Sequence, residues 1–213
     1  MREIVTSLSR VSKRWRRISD SNCLWAFLHL DEWNIQYITE EHLKSIMSHS
    51  PGFIHFSLRY IEIVEVNVKS MAILHKSLAC SSKLEYLDLS GQPITSIRFL
   101  LRQGPVLPIR TLILNDCTKI RTNDIVAVIM QLQKLETLSL NRVGISAREA
   151  VAIACSQPSL FMLGLVGIKF SLSDVRYILE HNGPFFLEMS RFSIDEPILR
   201  SLGSEFDTSI VLL

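Results

Sequence analysis

Along most of the chain the apolar positions follow one order: an aliphatic residue, two variable residues, leucine, one variable residue, leucine. KLEYLDLSG (83–91), PIRTLILNDC (108–117), KLETLSLNR (134–142) and SLFMLGLVG (159–167) all carry it. Their central leucines, Leu87, Leu112, Leu138 and Leu163, stand 25, 26 and 25 residues apart. Weaker copies extend the series upstream, in FIHFSLRY around Phe56, and downstream, in PFFLEMSRF around Leu187 and TSIVLL around Ile210. Alternation with a period of two predicts short strands with one buried face. Between them, TNDIVAVIMQLQ and AREAVAIACSQ place apolar residues at helical spacing, as at Ile125, Val128, Ile129 and Leu132, which predicts a helix after each strand.

A unit of one strand and one helix cannot bury its own apolar face, so neighbouring units must stack. The expected fold class is α/β: a leucine-rich-repeat solenoid with one strand and one helix per repeat of ~25 residues, its parallel sheet on the concave side. About six or seven repeats are expected over residues 53–213. The residues flanking each central leucine then point to the concave face. They read His55, Ser57, Arg59; Tyr86, Asp88, Ser90; Thr111, Ile113, Asn115; Thr137, Ser139, Asn141; Met162, Gly164, Val166; and Phe186, Glu188, Ser190. The first four rows are mainly polar and the last two carry an apolar end. From these rows Tyr86, Asp88, Asn115, Asn141, Met162, Val166 and Phe186 are the candidate partner-binding residues. No row clusters Arg or Lys, so capture of a phosphate by this face is not expected.

Upstream of the series, Ile4, Leu8, Val11, Trp15 and Ile18 step by four, three, four and three, which places them on one helical stripe. Asp20 reads as the N-cap of a short second helix carrying Leu24, Trp25 and Leu28. Charge is concentrated here. The first 17 residues hold six of the 23 cations and one of the 21 anions. The remaining sequence is therefore slightly acidic, and a nucleic-acid-binding body is excluded on charge. The run KRWRR also fits a nuclear-localisation signal.

The chain has no secretion-signal pattern and no apolar run near the 18 residues a membrane helix needs. Cys23, Cys80, Cys117 and Cys155 lie far apart and form no CxxC pair, so they read as buried thiols. Histidines and cysteines show no metal-ligand spacing, and neither a metal nor a cofactor is expected. No GxSxG, P-loop, HExxH or dinucleotide-binding glycine pattern is present, so an enzyme is not expected. The adjacent carboxylates Glu40–Glu41 and Asp195–Glu196 fit the first turns of helices, where acids suit the dipole.

The segment V-S-K-R-W-R-R followed by S-N-C-L-W, residues 11–25, resembles the second half of an F-box, whose pattern runs V-C-K-x-W and then S/D-x-x-L-W. Followed by leucine-rich repeats, it makes the chain similar to the F-box/leucine-rich-repeat proteins, the substrate receptors of Skp–cullin–F-box ubiquitin ligases. The likeness continues through TEEHLKSIMSHSPGF (39–53) and IVEVNVKSMAILHKSLACSSKLEYLDLSG (63–91). It implies three segments: 1–30 as the C-terminal half of an F-box, 31–52 as a linker helix, and 53–213 as the solenoid. It further implies a Skp-family adaptor as partner, contacted through Val11, Lys13, Trp15, Leu24 and Trp25, and through the adaptor a cullin. A protein client, a cyclin-kinase-subunit accessory protein, a role in cell-cycle control and residence in nucleus and cytoplasm follow from the same likeness. The L-P-x-E helix that begins an F-box has no counterpart in MREIVTSLSR, and the chain closes on the apolar strand SIVLL without a polar cap. The alternative reading is a ligase-uncoupled scaffold or competitor that holds clients on the repeats.

Overall fold

The computed structural model describes residues 26–33, 36–49, 52–64, 68–101, 106–182, 186–190 and 196–213. It is an α/β architecture in which an eight-stranded parallel sheet alternates with helices. In chain order the main sheet holds β1 (Phe27–His29), β3 (His55–Ser57), β5 (Tyr86–Asp88), β6 (Thr111–Ile113), β7 (Thr137–Ser139), β8 (Met162–Gly164), β9 (Phe186–Met189) and β10 (Ser209–Leu212). Each strand pairs with the next in that order. A second, two-stranded parallel sheet joins β2 (Tyr37–Thr39) to β4 (Glu62–Val64). The helices are α1 (Glu40–His49), α2 (Val68–Cys80), α3 (Thr122–Ile129), α4 (Ala147–Ser156), α5 (Leu172–Asn182) and α6 (Glu196–Glu205).

The central residues of the strands form one continuous ladder. Leu28 faces Phe56, Phe56 faces Leu87, and the row continues through Leu112, Leu138, Leu163, Leu187 and Ile210. The residues three before and two after join it beneath the sheet: Leu84 and Leu89, Ile109 and Leu114, Leu135 and Leu140, Leu160 and Leu165 are all buried. Helix residues Ile125, Val128, Ile129, Ala150, Ile153, Val175, Ile178, Leu199 and Leu202 close the same core from the other side. One face of the sheet is thus sealed by helices, and the other stays open.

Local chemistry starts the helices where the pattern predicts. Before α4, the Ser146 hydroxyl accepts from the Glu149 N–H at 3.3 Å, while the Ser146 N–H donates to Glu149 Oε2 at 2.8 Å. That reciprocal pair is a capping box, and it holds the Glu149 carboxyl below its usual range. Ser171 and Asp174 repeat the exchange before α5, at 2.9 and 3.2 Å. Glu40 and Glu41 open α1 and Glu196 opens α6, as expected for carboxylates favoured by the helix dipole.

Two sequence expectations change. The short helix drawn through Leu28 gives way to strand β1, because Leu28 completes the ladder beside Phe56. The main sheet therefore begins at residue 27, inside the segment assigned to the partial F-box. Among the described residues the linker is α-helical over Glu40–His49, with a 3-10 turn at Leu30–Trp33 and strand β2 ahead of it. Among the cysteines, Cys117 is buried, Cys155 half-buried and Cys80 exposed at the end of α2. Burial pushes the Cys117 thiol up to about 12, and its Sγ–H donates to the Leu89 carbonyl at 3.0 Å, a packing thiol.

Leu138 sits in the middle of the ladder with no solvent exposure. Leu138→Ala is expected to lower unfolding free energy by about 2–5 kcal/mol, and Leu138→Met by less than about 1.5 kcal/mol. Urea denaturation followed by circular dichroism checks both.

Candidate functional site: the open face of the sheet

The open face is built from the residues on either side of each ladder residue. Alternation sets their direction, but their size and neighbours set how far they emerge. Short side chains sink between adjacent strands: Ser57, Asp88 and Ser139 are buried on a face that no helix among the described residues covers. Longer ones, Tyr86, Met162 and Phe186, stand half-exposed. The seven client-binding candidates divide accordingly. Tyr86, Asn115, Met162 and Phe186 reach the surface, whereas Asp88, Asn141 and Val166 are buried.

The polar candidates Asn115, Asn141 and Asp88 are occupied in holding the turns. Asn115 Oδ1 accepts from the Asn141 N–H at 2.9 Å and from the Ser139 hydroxyl at 2.7 Å. One strand further on, Asn141 Oδ1 accepts from the Val166 N–H at 2.8 Å, and its Nδ2 donates to Glu188 Oε2 at 3.1 Å. Asparagine at this position thus ties the turn after one strand to the turn after the next. Gly164 makes room for the network, since a Cβ there would lie 2.5 Å from Ser139 Oγ and 3.0 Å from Asn141 Oδ1. Asp88 Oδ1 accepts from the Ser90 N–H at 2.9 Å and from its hydroxyl at 2.6 Å, while Oδ2 is buried without a hydrogen bond. Burial pushes the Asp88 carboxyl upward against these two donors.

Beside the face runs a ridge that the sequence pattern did not single out. The fourth residue after five consecutive central residues, Phe56 to Leu163, has positive φ: Tyr60 (52°), Gly91 (74°), Asp116 (60°), Arg142 (57°) and Gly167 (98°). Each is the third residue of a turn closed by a backbone bond, such as Cys117 N–H to the Leu114 carbonyl at 3.2 Å. Positive φ at that place is the mark of a type II turn. Glycine at position 91 leaves space for the Tyr60 ring, whose Cδ1 would otherwise meet a Cβ at 2.7 Å. Tyr60 therefore reaches across one turn and donates its hydroxyl to Asp116 Oδ2. Arg142 grips the same carboxylate in bidentate fashion, Nε to Oδ1 at 2.6 Å and Nη2 to Oδ2 at 2.8 Å. That guanidinium, followed by the Tyr60 hydroxyl, holds the Asp116 carboxyl down at about 2.

Aromatic rings gather at both ends of the face. At one end His55 stacks on Tyr86 at 5.4 Å and meets Phe27 at 4.8 Å, with His29 5.1 Å from Tyr86. At the other, Phe161 and Phe186 meet edge to face at 5.4 Å. Phe27 and Phe161 are more than half exposed, at 56% and 53%. Neither they nor His29 were among the sequence candidates. Phe27 and His29 escaped because their segment read as helical. Phe161 escaped because it precedes its strand by one residue, outside the alternation.

The adaptor candidates Val11, Lys13, Trp15, Leu24 and Trp25 lie outside the described residues. Among the described residues no group of three His, Cys, Asp or Glu is placed to hold a metal ion, and no helix is long and apolar enough to cross a membrane. No model of a known protein family matches the chain, and a comparison with curated proteins finds no match either.

Two consequences can be measured. Asn141→Ala leaves the buried Val166 N–H without an acceptor and is expected to cost about 1–3 kcal/mol in chemical denaturation. Asp116 is held below its ordinary carboxyl range by its partners, so its contribution to stability is full above 3.8 and is lost as pH falls through about 2. The difference in thermal midpoint between the wild type and Asp116→Asn should be largest near neutral pH and should close between those two values. Because the Asp116 side chain is 30% exposed, that difference is expected to be small and to shrink in high salt.

Proposed function

We propose that the chain is a leucine-rich-repeat solenoid that serves as the substrate-recognition subunit of a Skp–cullin–F-box ubiquitin ligase. The observation that carries the reading is the in-register ladder of residues about 25 apart, with one face sealed and one open. A surface of this shape, long, preformed and polar at its centre, suits the holding of another protein. The motif V-S-K-R-W-R-R with S-N-C-L-W supplies the other half of the reading. In both features the chain resembles in particular the S-phase-kinase-associated F-box protein.

The mechanism is proximity. Residues 1–30 anchor the chain to a Skp-family adaptor and thereby to a cullin, and the open face holds the client. The client's lysines are then concentrated near the ubiquitin-loaded enzyme, which needs no new chemistry from the receptor. Protein degradation in the service of cell-cycle control, with a cyclin-kinase-subunit accessory protein as helper, completes the reading.

The test is co-purification of the 213-residue chain with a Skp-family adaptor. The chain is expected to bind, and Trp15→Ala and Trp25→Ala are each expected to weaken binding by at least about tenfold, since tryptophans dominate such interfaces. Circular dichroism on the same samples separates lost contact from lost fold. Wild-type chain that is folded and leaves the adaptor unbound would overturn the ligase reading in favour of the uncoupled scaffold.

A further inference from the structure

We propose that the outer edge of β10 is a self-association edge, on which a second copy of this chain pairs its own β10 in antiparallel fashion. The backbone groups on that edge have directions fixed by the rest of the sheet. In four successive repeats the residue two beyond the ladder residue donates its N–H to a carbonyl of the next strand. Leu89 donates to Ile113 at 3.0 Å, Leu114 to Ser139 at 2.9 Å, Leu140 to Gly164 at 2.8 Å and Leu165 to Glu188 at 2.9 Å. Leu212 holds that place in β10, two beyond Ile210. The Leu213 N–H, at the opposite parity, donates back to the Met189 carbonyl at 3.0 Å. Alternation therefore turns the N–H and carbonyl groups of Ile210 and Leu212 outward, and β10 is the last strand of the main sheet.

The side chains leave room for another strand. Leu187 and Met189, the equivalent pair in β9, are buried at 0% and 2%, whereas Ile210 and Leu212 are only partly buried against the core. Sheet edges that stay single are commonly blunted by charge, proline or a bulge. TSIVLL, residues 208–213, carries no charged side chain, no proline and no glycine. Its threonine, isoleucine and valine favour extended pairing.

The edge is its own complement, and this selects a second copy as the occupant. With a two-fold axis through Val211, perpendicular to the sheet, Ile210 of one copy stands opposite Leu212 of the other. Residues so placed exchange both of their N–H to carbonyl bonds, so every outward group of Ile210 and Leu212 is satisfied. Their side chains meet on the core side. Val211, 40% exposed, meets its counterpart on the open side. Such an isologous contact closes at two copies, whereas head-to-tail stacking of β10 on β1 of another copy would continue without end. The two sheets become one, with both open faces on the same side. A strand of four residues buries less than the roughly 800 Å² per partner of a standard interface, so the expected affinity is micromolar or weaker.

The experiment is sedimentation equilibrium of the 213-residue chain across the micromolar range, with circular dichroism on every sample. The wild type is expected to rise from one chain mass to two and no further. Val211→Lys and Val211→Glu each place like charges opposite one another at the axis and should weaken the dimer by at least about tenfold. Their equimolar mixture should recover it, because lysine then faces glutamate, and recovery also shows that both variants fold. Leu212→Pro removes an N–H that points away from β9, a place where an edge strand tolerates proline, and should likewise leave the chain folded and monomeric. A wild type that stays at one chain mass, a mass that grows past two chains, a Val211→Lys chain that dimerises normally, or a mixture of folded variants that stays monomeric would each overturn the proposal. No adaptor is present, so the outcome is independent of the ligase reading.

Discussion

The fold depends on lateral stacking of strands that are each too short to stand alone. Most strands of the main sheet span three residues, and one such strand offers the core a single ladder side chain. What makes the arrangement stable is that every ladder residue between Leu28 and Ile210 meets an equivalent one on each side, so its burial is completed by its neighbours. The register is fixed by this demand. A slip of one residue would turn Leu87, Leu112, Leu138 and Leu163 outward and bring Asp88 and Ser139 into the core. Irregular spacing between neighbouring ladder residues is absorbed in the connections, because only the strand and the turn after it must superimpose.

The same stacking determines what the open face can offer. Turns that superimpose must have their backbone N–H groups satisfied, and Asn115, Asn141 and Ser190 meet that need with side-chain oxygens. An asparagine bound to two or three groups of its own chain has little left for a partner. The centre of the face is consequently a rigid floor of committed polar groups. The Tyr60–Asp116–Arg142 ridge is committed in the same way, each side chain saturating the next. The two ends of the face are aromatic instead.

The sheet and its core were legible because the leucine pattern recurs, and recurrence outweighs the ambiguity of any three-residue strand. Leu87, Leu112, Leu138 and Leu163 were placed in one ladder by spacing alone, and the pairing follows that placement. Helix starts were legible at Glu40 and Glu196 from carboxylates that suit the dipole. Strand β1 was not legible, because S-N-C-L-W-A-F-L-H-L satisfies a helical spacing as well as an extended one, and the choice is made by the neighbouring strand β3. At the face, alternation reported direction and not depth. Strands spaced about 4.8 Å apart bury a serine or an aspartate that points outward while leaving a tyrosine proud. That is why Asp88 and Asn141, which lie on the open side of the ladder, are structural supports, and why Phe161, one residue ahead of its strand, stands more exposed than they do.

A face with two aromatic ends and a committed centre favours an elongated guest over a compact one. From β3 to β9 there are five strand intervals, or roughly 24 Å at the usual spacing. An extended peptide covers that distance in about seven residues. A guest anchored at only one end gains a few contacts and loses the freedom of its own chain. Anchoring at both ends makes the second contact intramolecular, so two individually weak ring contacts reinforce each other once the spacing matches. The rigid centre keeps the ends at a fixed separation. Selectivity would then reside in the guest's spacing and in the chemistry of its two anchors.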